Sequence, residues 1–176
     1  MVNSPALAVV DDVDARRFRD VLGLFATGVV AVTAVDAATG RPAGLSANSF
    51  TSVSLDPPLV SVCLAHTSTT WPRIRAAGRC AINILAEHQR GICLRLAAHG
   101  GDKFCGLAWT ASPAGHPVLD GALGWLDCIL EAEHWAGDHV IAICRVEGLD
   151  MIHEGRPLIF YRGSYGGFAA TQQPLS

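Results

Sequence analysis

The sequence predicts a mainly β chain, an antiparallel barrel with helices packed around it. Two observations carry that reading. About seven apolar, β-branched segments follow one another, many joined by short turns, while only three segments show helical spacing. Helices do not alternate with strands, and no G-x-G-x-x-G follows a strand, so the parallel α/β alternative is the weaker one. At 176 residues the chain is expected to form one domain over 13–168, with a flexible arm over 1–12 and a tail over 169–176. It is long enough to bury a core without a disulfide or metal staple.

Taken in order, Asp11 or Asp12 caps a helix running to about Ala26, with Phe18, Val21, Leu22 and Phe25 on one face and Gly28 as its stop. Val29–Val35 is a strand, and Ala37–Pro42, with Thr39-Gly40, is a hairpin turn. Gly44–Pro58, GLSANSFTSVSLDPP, begins as the return strand. Pro57 and Pro58 break the pattern before a strand over Leu59–Leu64. Ser68, Thr69 or Thr70 caps a short helix that admits Pro72 in its first turn and closes at Gly78. Cys80–Leu85 is a strand, and Glu87–Ala98 is an amphipathic helix ended by Gly100-Gly101. Asp102-Lys103-Phe104 opens an irregular section. Leu123–Glu133 and His139–Leu149 are the two longest strands, turned at Ala136-Gly137-Asp138. Leu158–Tyr161 is the last strand and runs into a Gly-rich aromatic turn over Arg162–Phe168.

Composition excludes several function classes. The net charge is −3, with no basic patch, which argues against nucleic acid. Half the residues are apolar and the mean hydropathy is +0.31, so a large core, an oligomer interface or both are expected. No apolar run reaches the roughly 18 residues of a membrane span. The N-terminus lacks the basic start of a secretory signal, and Asp11, Asp12 and Asp14 follow its short apolar stretch. Six widely spaced cysteines form no C-x-x-C pair. Cys63, Cys80, Cys128 and Cys144 sit in apolar runs, so a reducing cytoplasm and no metal site are expected.

Two polar clusters carry the chemistry. Ser46, Asn48, Ser49, Thr51, Ser52 and Ser54 lie between two β-rich segments, with Asp56 the only charge. Uncharged hydroxyls and amides with free backbone N–H groups suit a flat, polar-edged ligand better than a metal or an acidic polymer. An edge strand with hydroxyls facing water accounts for the same residues. The second cluster is Ser68-Thr69-Thr70. A helix start with free N–H groups and added hydroxyls is a ready phosphate site, while plain capping is the simpler account. One strand separates the clusters, so both of its ends can face one groove. His139 opens a strand after Gly137-Asp138; a surface or packing role is the ordinary expectation for such a histidine. His66, His88, His99, His116, His134 and His153 read as loop or surface residues.

Phe18-Arg19 to Thr27-Gly28-Val29, the Gly44–Pro58 stretch, Ser68–Trp71, Asp102-Lys103-Phe104, Gly137-Asp138-His139 and Phe160-Tyr161-Arg162-Gly163 appear in that order. In these motifs, over about residues 14–168, the chain resembles the flavin reductase-like split-barrel family, which includes the reductase components of two-component flavin-dependent monooxygenases. The resemblance implies a homodimeric, Greek-key split β-barrel that binds FAD or FMN near the dimer interface. It implies reduction of that flavin by NADH or NADPH, with hydride passing from nicotinamide C4 to flavin N5. By motif, Pro42, Ala43, Gly44, Leu45, Ser46, Asn48 and Ser49 are expected to border the flavin ring and ribityl chain. Ser52, Val53 and Ser54 are expected near the ring edge, and Cys63, Leu64 and Ala65 with Ser68, Thr69 and Thr70 near the ribityl and phosphate. Lys103 and Phe104 are expected to flank the flavin. His139, as the catalytic residue, and the turn Tyr161, Arg162, Gly163 and Ser164 are expected to meet the nicotinamide nucleotide. Tyr165 and Phe168 stack on a ring or pack the tail.

The chain departs from the family at one point. Many relatives carry a Lys or Arg among the phosphate contacts, and Ala65–Trp71 has none, His66 being the nearest candidate. That fits a loosely held flavin, handed on to a separate monooxygenase. FAD with NADH is the favoured pairing, and FMN and NADPH stay open. Two other readings use the same barrel. One is a non-catalytic flavin-binding sensor or store. The other is an oxidase of a phosphorylated amine, which needs a basic cluster that the sequence does not display.

Overall fold

The computed structural model of the chain describes residues 13–152 and 154–169. The 1–12 arm with its Asp11 or Asp12 cap, His153, and the tail beyond residue 169 lie outside the described residues. The elements, in order, are α1 (Ala15–Leu22), β1 (Thr27–Gly28), β2 (Val30–Val35), β3 (Pro42–Ala47), β4 (Thr51–Leu55), β5 (Pro58–Ala65), α2 (Trp71–Ala77) and β6 (Arg79–Ile84). A 3-10 turn over Glu87–Gln89 leads into α3 (Arg90–Ala97), then β7 (Trp109–Ala111), β8 (Pro117–Leu119), β9 (Gly124–Ala136), β10 (His139–Met151), β11 (Leu158–Tyr161) and β12 (Ser164–Gly167).

Seven strands form one antiparallel sheet in the order β3-β2-β6-β9-β10-β5-β4. Its two edges, β3 and β4, are consecutive in the chain. At about 4.8 Å per strand a flat sheet would hold those edges roughly 29 Å apart. The link from Ala47 to Thr51 spans at most about 14 Å. The sheet therefore curls until its edges approach, and β3 and β4 do not pair with each other. The barrel is split at Asn48–Phe50, in the middle of the polar stretch that the sequence singles out.

The split is bridged by a side chain. Ser49 Oγ donates to the Cys63 carbonyl at 2.9 Å and accepts from the Cys63 N–H at 3.0 Å, standing in for a missing strand partner. Inside the barrel, Val30, Val32, Ala34, Leu45, Val62, Ile82, Val140 and Ala142 form one core, and Trp71 and Ile74 of α2 close one end. Ala31 of β2 and Val29 just before it face a second core, packing with Cys93 and Leu96 of α3, Phe104, Leu119 and Leu158. Strand β2 is thus covered on both faces, which explains its unbroken apolar run.

Four elements differ from the sequence expectation. The first helix ends at Leu22, five residues short of the Thr27–Gly28 strand, and Asp14 is its cap, accepting from Arg17 N–H at 2.9 Å. It stops because Thr27 and Gly28 pair with Phe160 and Ile159 of β11, and Arg162 N–H bonds the Gly23 carbonyl at 3.0 Å. The expected Glu87–Ala98 helix is broken by Gln89, whose buried amide accepts from Ala86 N–H and donates to the Asp120 carbonyl, both at 2.9 Å. The Arg162–Phe168 turn is only Arg162–Gly163; Ser164–Gly167 returns as a strand on β11. The irregular section carries the β7–β8 hairpin, tied to the sheet by buried Asn83, which accepts from Leu119 N–H at 2.8 Å.

Candidate functional site

The split in the barrel opens onto a groove of about 330 Å³. One wall is the end of β3 and the link beyond it: Leu45, Ser46, Ala47, Asn48 and Ser49. The opposite wall is the end of β5 with Cys63, Leu64 and Ala65, and beyond it Thr67–Thr70. Leu96, Ala97, Ala98 and His99 of α3 and its exit close the side, and Lys103 and His139 complete the rim. Topology explains the convergence. His139 is the register partner of Ala65, so the start of β10 lies beside the end of β5.

The hydroxyls of this groove are partly committed to the fold. Ser46 Oγ donates to the Cys93 carbonyl at 3.0 Å and Ser49 Oγ to Cys63. Ser68 Oγ accepts from Trp71 N–H at 3.1 Å, satisfying the first backbone N–H of α2, whose N-cap residue Thr70 makes no side-chain cap bond. The Ser46 and Ser49 protons are spent on the Cys93 and Cys63 carbonyls, whereas Ser68, which accepts in its bond to Trp71, keeps its O–H to donate to a ligand. Asn48 is exposed and its amide reaches Thr27 Oγ1 at 3.4 Å.

The charge comes from outside the Ala65–Trp71 segment. Lys103 Nζ donates to Thr70 Oγ1 at 3.1 Å and to the Leu96 carbonyl at 2.8 Å, which sets an ammonium at the Ser68–Thr70 end of the groove. Among the described residues no carboxylate is paired with it. Burial, and secondarily the nearby Arg73 guanidinium, push its pKa below the ordinary lysine value. At the rim, His139 Nδ1 lies 2.7 Å from Asp138 Oδ1, and this bond holds the exposed Asp138 carboxyl below its usual range. With the carboxylate as acceptor, Nδ1 carries the proton and Nε2 is the ring's remaining polar atom.

Two further hollows adjoin the groove. One, of about 250 Å³, shares Thr69, Thr70 and Lys103 with it and extends past Pro42, Ala43, Gly44 and Phe104 to Arg41 and Arg73. The other is an open depression of about 1050 Å³ that shares Asn48 and Ser49 and runs under α1 to Phe160, Arg162 and Gly163. Most of the residues singled out in the sequence thus line one continuous trough.

Phe104 borders the hollow of about 250 Å³, but its ring is packed in the second core, where a Cβ on Gly44 would stand 3.0 Å from it. Other singled-out residues lie outside the trough. Ser52, Val53 and Ser54 lie on the edge strand β4, outside these hollows. Tyr161 and Ser164 are exposed and line none of them; Tyr161 lies under the Arg162 guanidinium, 5.5 Å from it. Tyr165 packs against Phe160 at 5.1 Å, and burial, together with its bond to Cys93, pushes its pKa up to about 12. His66 stacks on Trp135 at 4.4 Å rather than lining the groove. His116, expected at the surface, is buried, and neither ring nitrogen has a partner.

Sequence reasoning missed Arg41 and Arg73. They come from a hairpin and a helix far apart in the chain, and no local pattern marks either. It also missed Asp138 as the partner of His139, although adjacency was a signal. Among the described residues no group of three His, Cys, Asp or Glu is placed to hold a metal ion, and no helix is long and apolar enough to cross a membrane.

Comparison with known proteins was made against this geometry. The model of the family described as "Flavin reductase like domain" matches residues 22–169. The chain is 45% identical over 166 residues to the reductase subunit HsaB of a flavin-dependent monooxygenase of Rhodococcus jostii (strain RHA1), covering 94% of this chain and 84% of that protein. It is 45% identical over 170 residues to a flavin reductase of Pseudomonas putida, covering 97% and 99%. Among solved structures it resembles the NADH:FAD oxidoreductase SgcE6 of Streptomyces globisporus, in complex with NAD and FAD fragments. That similarity has a TM-score of 0.85 and 32% identity, covering 94% of this chain and 99% of that one.

Proposed function

The chain belongs to the flavin reductase-like family, and from that premise we propose that it is an NADH-dependent flavin reductase that supplies reduced FAD to a separate monooxygenase component. The observation that carries the reading is the groove at the barrel split. Its walls are uncharged, its side is apolar through Leu45, Leu64, Leu96 and Ala97, and it has one cation at the Thr70 end. That donor set fits a flat ring joined through a polyol to a phosphate. When both are bound, the nicotinamide supplies a hydride to flavin N5, so the protein needs no nucleophile of its own.

The residues then act by binding and orienting. Asn48, Ser46 and the backbone beside Ser49 border the ring and ribityl chain, and Cys63–Ala65 form the opposite wall. Thr69, Thr70 and Lys103 receive the phosphate, where the desolvated ammonium gains the counter-charge that it lacks in the free protein. His139 sits on the groove rim with its ring fixed by Asp138, suited to positioning the nicotinamide over the flavin. Arg162 and Gly163, on the depression that joins the groove at Asn48 and Ser49, approach the rest of the dinucleotide.

The working unit is a homodimer. Phe18, Val21, Leu22 and Phe25 form an apolar helix face, and all four are exposed in the single chain, Phe25 by 75%. A second copy covering α1 would also roof the depression beneath it. Six free thiols fit a reducing cytoplasm.

The test is steady-state NADH oxidation by purified protein with FAD and FMN added in turn. Flavin-dependent turnover supports the proposal. Flavin binding without NADH oxidation supports a carrier and refutes it.

A further inference from the structure

Trp135 stands 80% exposed near the tip of the β9–β10 hairpin, although a large apolar ring gains nothing from facing water. Its indole is stacked on the His66 imidazole, with ring centroids 4.4 Å apart and planes 28° from parallel. His66 is the first residue beyond β5, and its backbone N–H donates to the Asp138 carbonyl at 3.0 Å. A ring stack and a backbone bond thus tie the end of β5 to both sides of the β9–β10 turn. The turn itself is bare. Ala136, Gly137 and Asp138 are exposed, and Gly137, at φ +61°, has nothing within 4 Å of where a Cβ would stand. Yet this turn delivers the rim of the groove: Asp138 bonds His139 Nδ1 at 2.7 Å, and His139 lines the groove. Neither Trp135 nor His66 lines the groove or the two hollows beside it.

We propose that Trp135 is a positioning residue for the nicotinamide half of the reaction: stacked on His66, it locks the β9–β10 turn against the end of β5 and so fixes Asp138 and His139 at the groove rim. The inference rests on the reading of His139 as the residue that meets the nicotinamide. Without the stack, the turn keeps only its backbone bond to His66, and His139 leaves the rim for part of the time. The loss falls on the nicotinamide and not on the flavin, because the other end of the groove holds itself. There Ser68 N–H bonds the Ala65 carbonyl at 2.9 Å, and Lys103 Nζ bonds Thr70 Oγ1 at 3.1 Å. Alanine at position 135 has no face to stack, whereas phenylalanine keeps one.

Steady-state kinetics of the whole chain, with FAD saturating and NADH varied, test this. Trp135→Ala and His66→Ala are each expected to raise KM for NADH about three- to tenfold, with kcat and the calorimetric Kd for FAD within about twofold of wild type. Trp135→Phe is expected to keep most of the wild-type KM. Because Trp135 acts through His139, adding Trp135→Ala to His139→Ala should raise KM by less than about a further twofold. Reduced nicotinamide mononucleotide, which lacks the adenylate half, should show the same rise in Trp135→Ala. An unchanged KM in Trp135→Ala overturns the inference. So does full multiplication of the two effects in the double variant, or a rise seen with NADH alone, which would make Trp135 a direct contact for the adenine. Parallel losses of FAD affinity and NADH turnover would make the stack a general strut and overturn it as well. If His139→Ala itself leaves KM for NADH unchanged, the nicotinamide reading of His139 is refuted, and the inference falls with it.

Discussion

Lys103→Met isolates the charge at the phosphate end of the groove. Methionine fills nearly the same volume, so Leu96 and Phe104 keep their packing, while the two bonds from Nζ to Thr70 Oγ1 (3.1 Å) and the Leu96 carbonyl (2.8 Å) are lost. A hydrogen bond to a charged group is worth about 1.5–3 kcal/mol, and the half-exposed position of Lys103 favours the lower end. Loss of about 1.5–2 kcal/mol raises the flavin Kd by about 10- to 30-fold. With Lys103 at the phosphate and not the reacting ring, as proposed, KM for flavin should rise in step while kcat changes by less than about threefold. The pH dependence has a definite sign. In the free protein burial and Arg73 push the Lys103 pKa down, and a bound phosphate pushes it back up. Flavin affinity is therefore full below the lysine's free-state pKa and declines as pH rises above it; Lys103→Met loses that decline. Titration calorimetry across neutral and alkaline pH reads both effects. A Kd within about twofold of wild type would refute the placement of the phosphate.

Three other outcomes follow from single side chains. His139→Ala should raise KM for NADH more than it weakens flavin binding, and an unchanged KM would remove His139 from the nucleotide site. Ser49→Ala orphans the Cys63 N–H and carbonyl at the barrel split; a loss of about 1–2 kcal/mol should lower Tm by about 3–6 °C in a calorimetric scan, and an unshifted Tm would show that the bridge is dispensable. Burial lowers the His116 pKa in the fold, so below about pH 6.5 the unfolded chain takes up a proton that the folded chain resists, and stability falls as pH drops. His116→Phe should flatten urea-unfolding midpoints between neutral and mildly acidic pH, and an equally steep loss in the variant would assign the acid sensitivity elsewhere.

What the sequence made legible follows its local signals. The apolar alternation of β9 and β10, the Thr39-Gly40 turn and the Pro57-Pro58 start of β5 are each written in contiguous residues, and each is where the pattern puts it. The first helix was overextended because Phe25 keeps helical spacing; the pairing of Thr27–Gly28 with β11, some 130 residues away, overrides it. Strand β12 was missed because Ser164–Gly167 holds two glycines and little apolar content, and its strand character comes from β11 alone. The polar walls of the groove were legible as two clusters flanking one strand. Its charge was not, because Arg41, Arg73 and Lys103 meet only after the sheet curls. Phe104 is expected by motif to flank the flavin, and the small residue at Gly44 leaves room for its ring beneath β3.

The most direct measurement is an anaerobic mix of the purified protein with FAD and NADH, following loss of the oxidised flavin colour. The account predicts rapid bleaching that depends on the protein, slowed by His139→Ala at limiting NADH and by Lys103→Met at limiting FAD. Persistent oxidised flavin, in a protein that binds FAD in the same buffer, would contradict it.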